Sequence, residues 1–243
     1  MMNENKHFPD TYVVVDLETT GLQPSRDRIL EIGAVKVVDG KVVDTFCTFV
    51  DPKMVIPEYI QQLTGITQGM VEGQVTAETA IADFLAFSDG FVLMGHNLLF
   101  DYSFMKHQAA KQKFVFEKDG IDTLKIARKL LPELESRSLT SLCEHFHIEN
   151  SHAHRAYHDA YATHLVYEKM KQMECADEKI FAPYTLIYKV KKQSPITESQ
   201  KAYLNDLVKY HRIELDVVID SMTKSEASRK IDTIISEYGR IQR

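Results

Sequence analysis

Three short segments bring together residue types that can hold a cation or act on a phosphate. The first is Asp16-Leu17-Glu18, which closes the β-branched run Thr11-Tyr12-Val13-Val14-Val15. Residues two apart on a strand face the same way, so both carboxylates point to one face. Like charges this close repel and require a cation between or beside them. A solvated strand end is the plainer alternative, but the polar turn Thr19-Thr20-Gly21 follows directly. The second segment is Gly95-His96-Asn97-Leu98-Leu99-Phe100-Asp101, with Asp101 at a strand-to-helix junction. A helix N-cap is a common use of Asp, and Asn97 equally suits an Asx turn. The third is Ser151-His152-Ala153-His154-Arg155-Ala156-Tyr157-His158-Asp159, ahead of a long helical pattern that Asp159 could cap.

Six of the ten histidines (His145, His147, His152, His154, His158 and His164) crowd the third segment. Zinc is one reading. Closed zinc sites need four such ligands, however, and no cysteine pair accompanies these. His154 and His158 are four apart, a spacing that converges only on a helix, and a loop is expected up to Asp159.

The elements that must position these residues are strands, then alternating helix and strand. Thr11–Asp16, Ile29–Val38, Lys41–Val50 and Phe91–Gly95 read as strands, with Ile121 as a short strand end. Asp39-Gly40 suits a tight hairpin turn. Helices are expected from Thr76, an N-cap, to Phe87, then over Asp101–Lys113, Thr123–Leu131, Ser138–Phe146 and Asp159–Met173. The order implies an α/β fold: a mixed sheet with helices on its faces. Two more helical patterns follow, one from Thr197 and one opened by the capping box Thr223-Lys-Ser-Glu226. Asp122-Thr123 reads as a helix start rather than a ligand pair.

The composition of the 243 residues, 44% hydrophobic and 26% charged, is that of a globular protein. No apolar run reaches the roughly 18–20 residues of a membrane span, so no membrane partner is expected. Met1–Asp10 is polar and lacks an apolar signal core, which predicts a cytoplasmic location. Cys47, Cys143 and Cys175 are odd in number and far apart, which fits a reducing compartment. The net charge of −6 argues against a broad nucleic-acid-binding face. It is unevenly spread, however. From Ile187 onward there are 11 Lys+Arg against 8 Asp+Glu, or +3, which leaves −9 for the remainder. The prolines and lysines between Pro183 and Pro195 mark the change. They suggest a domain over 1–182, a linker over 183–196 and a small helical module over 197–243.

Taken together, Asp16-x-Glu18, Asn97-x-x-Phe100-Asp101 and His154-x-x-x-x-Asp159 resemble the three motifs of the DEDD 3′–5′ exonuclease superfamily, in its histidine branch. Asp16-Leu-Glu-Thr-Thr-Gly-Leu22 and Leu63-Thr-Gly-Ile-Thr67 are similar to bacterial DNA polymerase III epsilon-type proofreading exonucleases. The resemblance implies an RNase H-like fold with a small helical C-terminal extension. It implies that Asp16, Glu18, Asp101 and Asp159 hold two divalent ions, Mg²⁺ or Mn²⁺, and that His154 is the general base. Hard oxygen ligands do suit those ions. An imidazole accepts a proton near neutral pH, where an ionised, metal-bound carboxylate is a poor base. His158 is the rival for that role. By the same resemblance Thr19, Thr20 and Gly21 approach the terminal nucleotide, while Leu63, Ile66, Asn97 and Phe100 line its pocket. Leu63 and Phe100 could equally be core.

The implied reaction is metal-dependent 3′–5′ hydrolysis of phosphodiester bonds at DNA 3′ ends, releasing nucleoside 5′-monophosphates. The substrate would be single-stranded DNA or a frayed 3′ end, and the partner a DNA polymerase or another replication or repair protein. An exoribonuclease or oligoribonuclease acting on RNA ends is the second reading. A non-catalytic nucleic-acid-binding subunit is the third, and the presence of all four carboxylates and the histidine counts against it. Two divalent ions would neutralise the four carboxylates. The net charge therefore predicts few phosphate contacts beyond the metal site, with any basic supplement coming from the +3 tail.

Overall fold

Tyr12–Thr19 forms strand β1, its β-branched and aromatic residues packing well on a pleated surface. The structure, a computed structural model, describes residues 8–150, 153–175, 177–190, 194–215 and 218–242. β1 pairs antiparallel with β2 (Ile29–Val38), and β2 pairs antiparallel with β3 (Lys41–Phe49). Asp39 and Gly40 join β2 to β3 with φ of 50° and 72°, as a tight hairpin turn requires. On its other edge β1 pairs in parallel with β4 (Leu93–Gly95), and β4 with β5 (Asp119–Asp122). β5 pairs antiparallel with β6 (Tyr184–Thr185), which completes a mixed sheet of order β3-β2-β1-β4-β5-β6. β6 lies in the stretch read as a linker, and Leu186 beyond it is buried. A two-residue strand beside Pro183 is too short to show a period.

The helices of this unit are α1 (Glu58–Thr64), α2 (Gln68–Val71), α3 (Ala77–Phe87), α4 (Leu99–Lys111), α5 (Thr123–Leu130), α6 (Leu139–Phe146) and α7 (Ala156–Lys171). Thr76 caps α3 through Thr79 N–H, and Asp122 caps α5 through Leu124 N–H. Two boundaries differ from expectation. α4 starts at Leu99 rather than Asp101, and α7 starts at Ala156 rather than Asp159. Neither carboxylate caps its helix. Each accepts a backbone N–H from a residue that precedes the helix, Leu17 for Asp101 and His154 for Asp159.

β1 separates two apolar layers. Val13, Val15 and Leu17 belong to a core with Phe84 of α3 and Tyr102 and Met105 of α4. Tyr12 and Val14 belong to a core with Leu142 of α6 and Ala160 and Val166 of α7. The alternation of a strand therefore brings Asp16 and Glu18 to the α7 face.

The chain divides into two compact units between Val190 and Lys191. In the second, α8 (Glu198–His211) and α9 (Lys224–Tyr238) pack through Leu204, Leu207, Ala227 and Ile234. Both begin with capping boxes, Thr197 with Gln200 and Thr223 with Glu226. Among the described residues, no helix is long and apolar enough to cross a membrane.

Candidate active site

The β1–β4 ladder ends at Val14 and Met94. Beyond it the Leu17 N–H donates to Asp101 Oδ1 at 3.0 Å. Asp101, in the first turn of α4, is thereby tied to the strand residue between Asp16 and Glu18. Asp101 is buried, and burial raises its carboxyl well above the ordinary range. Its backbone hydrogen bonds oppose that rise, and the charge of Glu18 adds to it. Asp16 is raised by burial first, then by Asp101, Asp159 and Glu18. Glu18 is pushed up to about 8 by burial, then by Asp159 and Glu31, with Arg155 opposing. Each of these carboxyls thus resists ionising beside the others, a conflict that a bound cation relieves.

Asp159 completes the group from the first turn of α7. Its Oδ2 accepts from the His154 backbone N–H at 2.9 Å, and its Oδ1 accepts from Asn150 Nδ2 at 2.8 Å. His154 is exposed and left-handed, with φ 65°. Glu18, His154 and Asp159 each place a potential ligand atom within 4.8 Å of the others. Two carboxylates and one imidazole, with Asp16 and Asp101 felt electrostatically beside them, form an oxygen-rich set that fits a hard divalent ion. His158 lies within α7 and outside this group. His164 Nδ1 is instead 3.0 Å from the Tyr12 hydroxyl. His152 lies outside the described residues.

The expected nucleotide-contacting residues divide. Thr19 and Thr20 are buried with their hydroxyls engaged. Thr19 Oγ1 donates to Gly21 O at 2.7 Å, and Thr20 Oγ1 accepts from Arg28 N at 2.9 Å. At Gly21 a Cβ would stand 2.6 Å from the Asp27 carboxyl, so a side chain there would require the Asp27 side chain to shift. Leu63 is 55% exposed, and Asn97 is exposed with φ 66°. Phe100 is half-buried, its ring centroid 5.2 Å from that of Phe104. Ile66 departs from expectation. It is fully buried with Leu30, Ile56, Ile60 and Val71, so it belongs to the core and lines no open surface.

Three residues that support the site were missed in the sequence: Asn150, Arg155 and Glu31. Glu31 stands opposite Glu18 in the β1–β2 ladder and is fully buried. It accepts from Arg155 Nε at 3.1 Å, Arg155 Nη2 at 2.9 Å and Ala156 N at 3.1 Å. The available signal was a lone charge in the run Ile29-Leu-Glu-Ile-Gly-Ala-Val35. Gly33 faces Asp16 in the same ladder, and a Cβ there would stand 2.1 Å from the Ala156 carbonyl carbon. Glycine lets α7 settle directly onto the strand.

The sheet order, the helices on both faces and the carboxylates at the end of the central strand define an RNase H-like nuclease fold. Residues 13–167 match the exonuclease family RNase_T, and the chain belongs to that family. It is 42% identical over 177 residues to the PolC-type DNA polymerase III of Clostridium perfringens, covering 71% of this chain and 12% of that protein. It is 31% identical over 202 residues to the 3′-5′ exonuclease DinG of Bacillus subtilis, covering 81% and 21% respectively. The chain thus spans a small part of these relatives. Among solved structures it is similar to exonuclease X in complex with 5′ overhanging duplex DNA. There the TM-score is 0.52 at 26% identity, over 65% of this chain and 90% of that one.

Proposed function

We propose that this chain is a metal-dependent 3′–5′ exonuclease that hydrolyses phosphodiester bonds at DNA 3′ ends and releases nucleoside 5′-monophosphates. The observation that carries this reading is the convergence of Glu18, His154 and Asp159 ligand atoms within 4.8 Å, beside the raised carboxyls of Asp16 and Asp101. Asp16, Glu18, Asp101 and Asp159 are the residues that would hold two Mg²⁺ or Mn²⁺ ions. Such ions supply charge stabilisation at the attacked phosphate and the leaving oxygen, and they acidify water.

His154 takes the proton of the attacking water at its imidazole. Its bond to Asp159 is made by the backbone N–H, so the ring does not serve in that anchor. Leu63 and Phe100 offer apolar surface to the terminal base and sugar, which stacks without reading sequence. Asn97 lies on the loop into α4, its backbone N–H donating to Asp122 Oδ1 at 3.1 Å.

DNA is the substrate favoured by the relatives: the PolC-type protein is a DNA polymerase, and exonuclease X is seen with overhanging duplex DNA. The same likeness supports a replication or repair setting, in which a polymerase would be the partner. The test is digestion of 3′-labelled single-stranded DNA and matched RNA in Mg²⁺, Mn²⁺ and EDTA. Release of labelled mononucleotide from DNA, abolished by EDTA, is expected. RNA digested with DNA untouched overturns the substrate assignment, and full activity in EDTA overturns the metal requirement.

A further inference from the structure

We infer that the Glu31–Arg155 ion pair is a positioning device: it clamps the first turn of α7, and with it the His154 backbone and the Asp159 carboxylate, to the strand rung that carries Glu18. The inference rests on the exonuclease reading of this site.

The clamp is specific in its geometry. The Glu31 side chain is 1% exposed and that of Arg155 is 36% exposed. Arg155 presents two nitrogens to the two carboxylate oxygens, a fork that lysine cannot reproduce. Glu31 Oε2 also accepts the Ala156 N–H, one of the donors that a helix start leaves without an intrahelical partner. Cys47 Sγ, 3.6 Å from Oε1, steadies the carboxylate from β3. The register pairs Glu31 with Glu18, so one rung carries both a candidate ligand and the anchor of the helix that brings Asp159 to it. Gly33 sits opposite Asp16 and removes the side chain that would hold α7 away.

His154 explains why a clamp is needed. A left-handed residue with a Cβ is disfavoured and persists only when its surroundings fix it. On one side its N–H is held by Asp159, and on the other its neighbour Arg155 is held by Glu31. With Nε and Nη2 engaged at Glu31, Arg155 is built to hold the protein rather than a phosphate.

The test compares Glu31→Gln, Arg155→Gln, Arg155→Lys and the double variant Glu31→Gln/Arg155→Gln in the full chain. The readouts are kcat and KM on a DNA oligonucleotide and hydrogen exchange at the His154 amide. Each single variant should lower kcat about tenfold or more with KM within about threefold, and should speed exchange at His154 about tenfold. The double variant should lose no more than the worse single, because the two side chains act as one unit. Arg155→Lys keeps the charge, is the least disruptive to folding, and should still fail. Unchanged kcat and unchanged His154 exchange overturn the clamp. A raised KM at unchanged kcat in the Arg155 variants also overturns it, placing that residue on the substrate. If the wild type cleaves nothing, the exonuclease reading falls alone. The exchange comparison then still decides the clamp, faster exchange in Glu31→Gln supporting it and unchanged exchange overturning it.

Discussion

The backbone N–H of His154 donates to Oδ2 of Asp159 at 2.9 Å, so the proposed base and a proposed metal ligand share one anchor. Replacing Asp159 by Ala removes a carboxylate and releases the His154 loop together. Its kcat should fall by about three orders of magnitude or more. His154→Ala should lose about 10²–10⁴ in kcat with little change in KM, the usual range for a general base. His158, within α7 and outside the ligand group, should tolerate Ala within about threefold. Single-turnover rates on an oligonucleotide separate the three. Activity kept by His154→Ala and lost by His158→Ala reverses the assignment.

The carboxylate group gives the metal-free protein a characteristic pH dependence. Glu18 is raised from an ordinary value near 4.5 to about 8, so the folded state holds that proton more tightly than the unfolded state. The associated stability is complete below about pH 4.5 and is lost as pH rises toward 8. Tm in EDTA should therefore fall between pH 5 and 8. Glu18→Gln should flatten that fall and raise Tm at pH 8, by about 2–4 °C for each kcal/mol relieved, while abolishing cleavage. Mn²⁺ should raise the wild-type Tm more at pH 8 than at pH 5.5. Scanning calorimetry with and without Mn²⁺ checks all three, and a Tm that rises with pH in EDTA contradicts the carboxylate conflict.

Gly33 makes a prediction about packing. A Cβ there would meet the Ala156 carbonyl carbon at 2.1 Å, which nothing flexible can absorb. Gly33→Ala should cost about 1–3 kcal/mol or more, as overpacking does, and should lower kcat by shifting Asp159 and His154 away from Glu18. Denaturant unfolding and kcat measured on the same preparation check this. Wild-type values for both contradict the close approach of α7.

Leu63 and Ile66, three residues apart, should behave oppositely. Leu63 is 55% exposed, so Leu63→Ala should leave stability unchanged and raise KM several-fold if it meets the terminal base. Ile66 is fully buried, so Ile66→Ala should cost about 2–5 kcal/mol and leave KM of the folded fraction unchanged. The pair is separated by Tm and KM measured side by side.

Much of the scaffold was legible because its signals are local. Asp39-Gly40 could hardly be anything but a hairpin turn, and Thr76 and Thr223 announce helix starts through bonds that span three residues. The three motifs were legible as a set because their residue types serve one chemistry. The helix starts near Asp101 and Asp159 were misplaced because an acidic residue before an apolar run looks like a cap. Their true partners, Leu17 and His154, lie across the fold or outside the helix. Glu31 and Arg155 could not be paired from sequence, since 124 residues separate them and only the β1–β2 register brings their rung to α7. Ile66 failed as a pocket residue for a related reason: an apolar side chain beside a motif carries no mark of which way it faces.

Metal-dependent exonuclease action from the 3′ end is tested most directly by a time course on 5′-labelled single-stranded DNA with Mn²⁺, run beside Asp16→Ala and an EDTA control. The expected result is a ladder that shortens one nucleotide at a time from the 3′ end, with nucleoside 5′-monophosphate as product, and that is absent in both controls. Early release of the 5′ label as a mononucleotide, or an unchanged ladder in EDTA, contradicts it.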